Sequence, residues 1–135
     1  MANAKYRKAC ENYSFPDIVT HTIRVSLIRT AAGYTPDIDN HEFLPSVTPA
    51  ARIADGPPMT GKTFIGGRFK ADIYNFGILP AGPACDGLLI WRDTGVAATS
   101  RLLVWIDTVT GGLPVTPDGV NQVIVYWPAT WIFAL

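Results

Sequence analysis

Charged residues are scarce in this chain of 135 residues. Only 16% of its residues are charged, whereas about a quarter are charged in ordinary domains. The 11 basic residues balance the 11 acidic ones, so the formal net charge is zero. A neutral chain has no long-range field to draw it to nucleic acid or to an anionic membrane, so we expect neither as a partner. Low net charge also favours association with other proteins.

Cysteine and long apolar runs are also nearly absent. Cys10 and Cys85 are too few for a disulfide framework, and we expect both to be reduced thiols. No apolar run approaches the roughly 18 residues that a membrane-spanning helix needs. Residues 1–8 carry positive charge with no apolar run behind them, so no secretory signal is indicated. We expect a protein that folds in the cytoplasm.

Patterns that carry out catalysis or bind metals are missing as well. His21 and His41 stand at no metal-ligand spacing from the cysteines. Asp37 and Asp39 lack the glycine and the terminal glutamate of a calcium-binding loop. Serine and cysteine nucleophile motifs are also absent. We therefore predict no enzyme activity, no metal and no cofactor.

One stretch, residues 56–63, nevertheless matches the phosphate-binding loop pattern G-x-x-x-x-G-K-T. The residues that make the match are Gly56, Gly61, Lys62 and Thr63. The pattern binds phosphate only where the loop leads from a strand into a helix. Here Gly66 and Gly67 would break a helix in its first turn, and residues 68–73 alternate like a strand. We interpret the match as fortuitous, a turn that leads into a strand.

Hydrophobic periodicity predicts one short helix followed by strands. Residues 4–13 tolerate a helix that places Tyr6, Ala9, Cys10 and Tyr13 on one face. Residues 21–30 alternate as a half-buried strand, and the segments 87–92 and 101–106 are predicted to form an antiparallel hairpin. Further extended segments are predicted at 51–54, 63–78, 113–115, 122–127 and 130–135.

These seven or eight strands, separated by glycine and proline turns and without crossover helices, predict the fold class. We expect an all-β protein, an antiparallel β-sandwich or a barrel-like domain. Residues 1–16 would form a short N-terminal helix or arm, and residues 17–135 a single β domain.

Both strands of the predicted hairpin are apolar on both faces. This is typical of a central position in a sandwich, or of one face on the core and the other against a partner. Trp91 and Trp105 would share a face, as a core cluster, a sugar-binding platform or an interface anchor. Asp93 and Asp107 each follow one of these strands, at the same end of the sheet or at opposite ends according to register. Ordinary turn chemistry is the simpler interpretation of these two carboxylates than a glycosidic-bond pair.

From residue 23 onward the sequence resembles a family of small virion proteins encoded by tailed bacteriophages. The resemblance covers about 110 residues in order. The stretches that carry it are residues 23–27 (I-R-V-S-L), 41–44 (H-E-F-L), 51–54 (A-R-I-A), 60–63 (T-G-K-T), 89–95 (L-I-W-R-D-T-G), 97–100 (A-A-T-S), 106–108 (I-D-T), 112–117 (G-L-P-V-T-P) and 132–133 (I-F). The chain departs from the pattern at residues 72–85 and 120–130, where it is richer in Tyr, Trp and Pro, which suggests a partner-facing surface of its own.

The resemblance implies a non-enzymatic structural part of the virion, assembled in the host cytoplasm. We expect a capsid decoration (cement) protein that stabilises the head shell through contacts with the major capsid protein or other virion proteins. A tail- or fibre-associated component is the alternative, and a carbohydrate-binding β-sandwich module is a further one. Self-association is expected, as a trimer.

Docking would occur by burial of apolar surface, which contributes about 25 cal/mol per Å². The N-terminal segment 1–16 and two rigid proline loops are the predicted contact regions, since rigid loops lose little entropy on docking. The candidate interface residues are Tyr6, Tyr13, Phe15, Pro57, Pro58, Pro80, Pro83, Trp91 and Trp105.

Overall fold

The computed structural model describes residues 3–135, which are built mainly of antiparallel strands. Within that range it has ten strands, one α-helix and four short 3-10 helices, so the all-β prediction is confirmed. The strands are β1 (Ala4–Lys5), β2 (Ile23–Ile28), β3 (Arg52–Pro58), β4 (Thr63–Ile65), β5 (Arg68–Lys70), β6 (Tyr74–Ile78), β7 (Gly87–Arg92), β8 (Leu102–Ile106), β9 (Gln122–Val125) and β10 (Phe133–Ala134). The α-helix is α1 (Arg7–Asn12), and the 3-10 helices are Phe15–Val19, Thr30–Ala32, Leu44–Ser46 and Ala97–Thr99.

The largest sheet has five strands in the order β1-β8-β7-β2-β3. Its centre is the predicted hairpin, in which β7 and β8 pair antiparallel with Leu89 opposite Trp105. The strand predicted at 21–30 forms β2 and pairs with the other side of β7, with Val25 opposite Ile90. All the residues of β8 and all but the last of β7 are buried, which explains why these strands have no polar side chain before Arg92.

Two smaller sheets complete the fold: a three-stranded sheet in the order β10-β5-β4 and a two-stranded sheet of β6 and β9. The turn between β4 and β5 is Gly66-Gly67, with φ of 61° and 74°, the left-handed conformation of tight hairpin turns. Below this sheet Phe69 contacts Phe133 with ring centroids 5.2 Å apart, and Phe133 contacts Phe15 at 5.5 Å. These rings join the small sheet to the common core.

The large sheet is covered on both faces by the chain itself. Lys5 lies opposite Val104, and its ammonium donates to the carbonyl of Ala134 in the three-stranded sheet at 2.9 Å. The next residue of β8, Trp105, contacts Tyr34 at 6.0 Å between ring centroids. Because successive side chains of a strand point to opposite faces, the three-stranded sheet and the loop that carries Tyr34 cover opposite faces of the large sheet. The apolar second face of the hairpin is thus filled internally rather than by a partner.

The N-terminal segment differs from the prediction. Residues 4–13 do not form one helix, because Ala4–Lys5 add a strand to β8 and the helix is confined to Arg7–Asn12. An extra strand covers backbone groups that would otherwise line an open sheet edge. Tyr6 and Ala9 are fully buried in the common core, whereas Cys10, predicted for the same face, is exposed. The described part of the predicted arm, residues 3–16, is therefore integral to the domain, and residues 1–2 of that predicted arm lie outside the described range.

Other predicted features are modified in detail. The 113–115 segment is not a strand but contributes only an isolated bridge between Val115 and Cys85. Both cysteines are free thiols, and burial raises the pKa of Cys85. Within residues 3–135, no helix has the length and apolar character needed to cross a membrane.

Candidate protein-binding surface

The phosphate-loop lookalike is a turn between two strands. β3 ends at Pro58 and β4 begins at Thr63, which pairs with Lys70 across the next hairpin. The Lys62 ammonium donates a hydrogen bond to the carbonyl of His21, and burial lowers its pKa. A helix N-terminus, which supplies much of the attraction for phosphate in nucleotide-binding loops, does not follow this turn.

The tryptophan pair on the hairpin lies in the core. Leu89 is opposite Trp105 and Trp91 follows two residues later, so the two indoles share a face as predicted. Their relative exposures are only 5% for Trp91 and 2% for Trp105, which leaves neither ring available to stack on a sugar or to anchor a partner. The Trp91 N–H donates to the buried hydroxyl of Ser26 at 2.8 Å. Of the three interpretations, the core cluster is the one that the structure supports.

Burial also removes two other candidates from the predicted interface. Tyr6 and Phe15 are 0% and 4% exposed, because their rings fill the core beneath the N-terminal segment. Tyr13 is half-buried, and its hydroxyl hydrogen-bonds Nδ1 of His21 at 2.8 Å. The candidates that remain exposed are Pro57, Pro58, Pro80 and Pro83.

His41, the second histidine, is the last member of a chain of hydrogen bonds that begins at the buried Tyr6. The Tyr6 and Tyr34 hydroxyls lie 2.7 Å apart, and the Tyr34 hydroxyl lies 3.0 Å from Nδ1 of His41. The backbone N–H of Asp37 donates to the same nitrogen at 3.2 Å, so Nδ1 is an acceptor and the neutral ring carries its proton on Nε2. Burial raises the pKa of both tyrosines. His41 therefore fixes the 34–41 loop.

The acidic pair considered from sequence is split by the register. Since β7 and β8 are antiparallel, Asp93 and Asp107 lie at opposite ends of the sheet. Asp93 accepts from Gly95 N–H and from the Arg24 guanidinium, which hold its pKa below the usual range. Asp107 instead lines a cavity of about 260 Å³ together with Asp86 and Trp105.

Sequence reasoning missed Asp86, although a signal for it exists. Asp86 directly precedes the strand that pairs antiparallel with the one that Asp107 follows, so the predicted hairpin already places the two at the same end. Among the described residues, no group of three or more His, Cys, Asp or Glu side chains is arranged to hold a metal ion.

Exposed apolar side chains concentrate at the two-stranded sheet. In residues 3–135, eight large apolar residues are exposed, and four of them belong to this sheet and its flanks. We call these four the two-stranded face: Ile73 (59% exposed), Ile78 (58%), Val120 (73%) and Tyr126 (45%). They come from segments 72–85 and 120–130, which β6 and β9 pair side by side.

A tryptophan ties this face to the neighbouring sheet. The indole N–H of Trp127 donates to the carbonyl of Asp72 at 3.1 Å. A cleft of about 220 Å³ lies beside it, lined by Trp127, Ile73, Lys70 at the end of β5 and Ile132 just before β10. The apolar two-stranded face therefore continues into a concave site, as docking surfaces commonly do.

The outer side of the three-stranded sheet has a different character. Ile65 is 76% exposed, and the paired Arg68 and nearby Lys70 are exposed beside it. The Arg68 guanidinium lies 4.6 Å from the ring centre of Trp131. In the described part of the chain, neither cation lies within ion-pair distance of a carboxylate. We call Ile65, Arg68 and Lys70 the cationic face.

No protein-family model matches the chain, and no curated protein matches it either. What the protein does is therefore inferred from its own residues and surfaces.

Proposed function

We propose that the protein is a structural subunit of a tailed-bacteriophage virion, a capsid decoration protein that stabilises the head shell through protein–protein contacts. The observation that carries the proposal is the two-stranded face. Four large apolar side chains stand in water there, on a domain whose central sheet is otherwise covered on both sides. The resemblance of residues 23–133 to small phage virion proteins supports the same role.

The energetics favour docking in many copies over docking alone. Burying a large apolar side chain completely contributes about 1.5–3 kcal/mol, so four partly exposed ones offer several kcal/mol. Association costs an estimated 4–15 kcal/mol in lost freedom, which consumes most of that gain for one isolated contact. On a lattice, linked contacts raise the overall strength without new chemistry. A repeating shell is therefore the kind of partner that this modest apolar surface suits.

Binding to particles that lack the protein tests the proposal. The purified chain is added to such particles, and the bound fraction is measured after sedimentation. The variant Ile78→Asp with Val120→Asp places charge on the two-stranded face, and we expect its binding to fall by about tenfold or more. Val96→Asp is the matched control, because Val96 is 58% exposed but lies in the 94–100 loop, away from this face.

Two results would contradict the proposal: failure of the native chain to bind particles, or equal binding by the double variant. Electron microscopy of the labelled, bound chain separates the two virion locations. Label on the head supports decoration, and label on the tail supports the tail-associated alternative.

A further inference from the structure

We propose that the cationic face binds an acidic, extended segment of the partner protein, whose carboxylates are two residues apart. This deepens the proposed function and rests on it for the identity of the partner, which would contact the two-stranded face and the cationic face together. Two cations without an ion-pair partner among residues 3–135, and two clefts that share Lys70, support the inference.

Four side chains of the β4–β5 hairpin form one exposed surface. Arg68 lies opposite Ile65 in the register of the two strands. Lys70 lies opposite Thr63, and cross-strand partners lie on the same face of a sheet. All four are exposed, whereas Phe69 between the two cations is buried on the other face. The same four residues line a cavity of about 250 Å³, so the cationic face is a concave site and not two scattered charges.

The two cations have no partner of opposite charge. In the described part of the chain, no carboxylate lies within ion-pair distance of Arg68 or Lys70. Asp72 is the next acidic residue along the chain, and its carboxylate accepts a hydrogen bond from the hydroxyl of Thr60 at 3.0 Å instead. Partner surfaces carry charge complementary to the surface they bind. The segment that covers this face is therefore expected to be acidic.

Arg68 is already ordered for such a contact. Its guanidinium lies 4.6 Å from the ring centre of Trp131, a cation–π contact that restricts the side chain. A side chain that is ordered before binding loses less entropy on binding. The planar guanidinium can also donate to both oxygens of one carboxylate. Arg68 is thus expected to bind the first carboxylate of the segment.

The spacing of the cations determines the conformation of the segment. Arg68 and Lys70 are two residues apart in β5, so their Cβ atoms are separated by about 6.5 Å and lie on one side. An extended segment repeats with the same spacing, so its residues i and i+2 can face the two cations. A helix instead places neighbours on one face three or four residues apart. An extended segment therefore matches the face, and a helix does not.

Lys70 links this site to the second cleft. It lines both the cavity on the hairpin and the cleft of about 220 Å³ beside Trp127. Ile73 and Ile132 also line that cleft, and Ile73 belongs to the two-stranded face. An apolar residue two positions beyond the second carboxylate would enter the cleft. The expected pattern is acidic-x-acidic-x-apolar, in either direction along β5.

A protein segment fits these features better than a nucleic acid or a lipid surface. Nucleic-acid sites commonly neutralise about 6–10 phosphates, and lipid-binding clusters carry about 4–8 basic residues. The cationic face has two cations. Its apolar neighbours, Ile65 and Ile73, are 76% and 59% exposed and are suited to contact with apolar side chains.

Titration of the isotope-labelled full chain with synthetic peptides, followed by NMR, tests the inference. The probe is L-S-E-S-E-S-L, whose spacing reads the same in both directions. We expect saturable shifts in the amides of β4 and β5 and in the indole N–H of Trp127 and Trp131. The dissociation constant should rise by about fivefold or more at high salt, because exposed ion pairs are screened.

Two peptides serve as controls for charge and spacing. L-S-S-E-E-S-L has the same composition, but its adjacent carboxylates lie on opposite sides of an extended chain. L-S-Q-S-Q-S-L keeps the spacing and removes the charge. Each should bind about fivefold more weakly or less well still.

A double variant identifies the cations on the protein. Arg68→Ser with Lys70→Ser should abolish the peptide shifts and lower binding to particles by about tenfold. Arg7→Ser with Lys8→Ser is the matched control, because it removes the same charge from α1, where the ion pairs are exposed and contribute little. This control should bind the peptide and the particles like the native chain.

Three outcomes would overturn the inference: no shifts with the probe, equal binding of the rearranged peptide, or a Ser double variant that binds the probe like the native chain. Tighter binding of a single-stranded DNA oligonucleotide than of the probe would also overturn it. If the variant unfolds, the comparison of the three peptides on the native chain still decides.

Particle binding separates this inference from the proposed function. If the native chain and the Ser double variant bind particles equally, the acidic segment is rejected and the proposed function stands. If the native chain binds the probe but no particles, the site stands and the proposed function is contradicted.

Discussion

The six-membered ring of Trp105 lies directly over Gly87, so closely that a Cβ at position 87 would overlap it. The contact crosses the central hairpin, where Gly87 begins β7 and Trp105 lies near the end of β8. Gly87 is not among the glycines with positive φ, so its requirement is for space and not for backbone freedom. The relationship explains why β7, an otherwise largely apolar strand, starts with a residue that has no side chain.

Gly87→Ala should therefore destabilise the domain by about 1–3 kcal/mol, the usual cost of overpacking a well-filled core. Chemical denaturation monitored by tryptophan fluorescence measures the free energy of unfolding. Gly111→Ala is the control, since a Cβ there would meet Tyr126 at an ordinary 3.4 Å. Equal stability of both variants would show that Trp105 moves aside at no cost.

Ser26 is predicted to matter through its hydroxyl. Its oxygen accepts from the Trp91 N–H, and its proton goes to a carboxylate oxygen of Asp55. Ser26→Ala leaves the buried indole N–H without a partner and should cost about 1–3 kcal/mol of unfolding free energy. In a Trp91→Phe background the same substitution should cost about 1 kcal/mol less, because the orphaned donor is gone. Strictly additive effects in this cycle would contradict the bond.

The two buried tyrosines should respond unequally to loss of their hydroxyls. Tyr6 stands at the end of the chain of hydroxyls, while Tyr34 lies between Tyr6 and His41. Tyr6→Phe removes one bond, at a cost of about 1 kcal/mol, whereas Tyr34→Phe also strands the buried Tyr6 hydroxyl and should cost about 2 kcal/mol. Denaturation curves of both variants at neutral pH decide the order, and a reversed order would contradict the chain of bonds.

Stability should fall on mild acidification in a way that depends on His21. Burial, the Arg92 charge and, more weakly, Lys62 lower the pKa of His21, against an opposing effect of Asp17. The unfolded chain then takes up the proton more readily than the folded one. The contribution of His21 is therefore fully present above the unfolded pKa of about 6.5 and is lost as the pH falls through the folded value.

The measurement compares the native chain with His21→Gln across that range. The unfolding free energy of the native chain should drop more between about pH 7.5 and pH 5 than that of the variant, since glutamine does not titrate. Parallel pH profiles would show that His21 does not contribute. The comparison isolates His21, because His41 and the carboxylates are common to both proteins.

The sequence pattern predicted the strands at the centre of the fold well, because their local strand propensity agrees with their burial in the core. Residues 23–28 alternate, and the two segments of the hairpin are apolar except at Arg92 and Arg101, so their strand type could be predicted. The antiparallel pairing of the hairpin was predicted as well, whereas its register was left open. The glycine pair Gly66-Gly67 predicted a turn, which the β4–β5 hairpin confirms.

The features that the sequence pattern could not predict depend on contacts between distant segments of the chain. Residues 4–5 look helical locally, but the open edge of β8 draws them into a strand. Whether Trp105 faces solvent or core depended on the 30–47 segment, which carries Tyr34 and whose turns and prolines show no periodicity. The interface prediction failed at Tyr6, Phe15, Trp91 and Trp105 for that reason, since large aromatic residues fill cores and interfaces alike.

The two-stranded face could be anticipated only in part. The segments 72–85 and 120–130 stood out in the sequence, but nothing local indicated that they pair with each other over about 45 residues of chain. Likewise, the cationic face needed the β4–β5 register before Ile65 and Arg68 could be placed side by side.

Quantitative protein analysis of particles purified by density gradient tests the structural role most directly. If the chain is a shell subunit, it should band with infectious particles, in numbers proportional to the major capsid protein. The variant with Ile78→Asp and Val120→Asp on the two-stranded face should be lost from the particles, and those particles should be less stable. A chain that remains entirely in the soluble fraction of the lysate, with particles equally stable in its absence, would contradict the account.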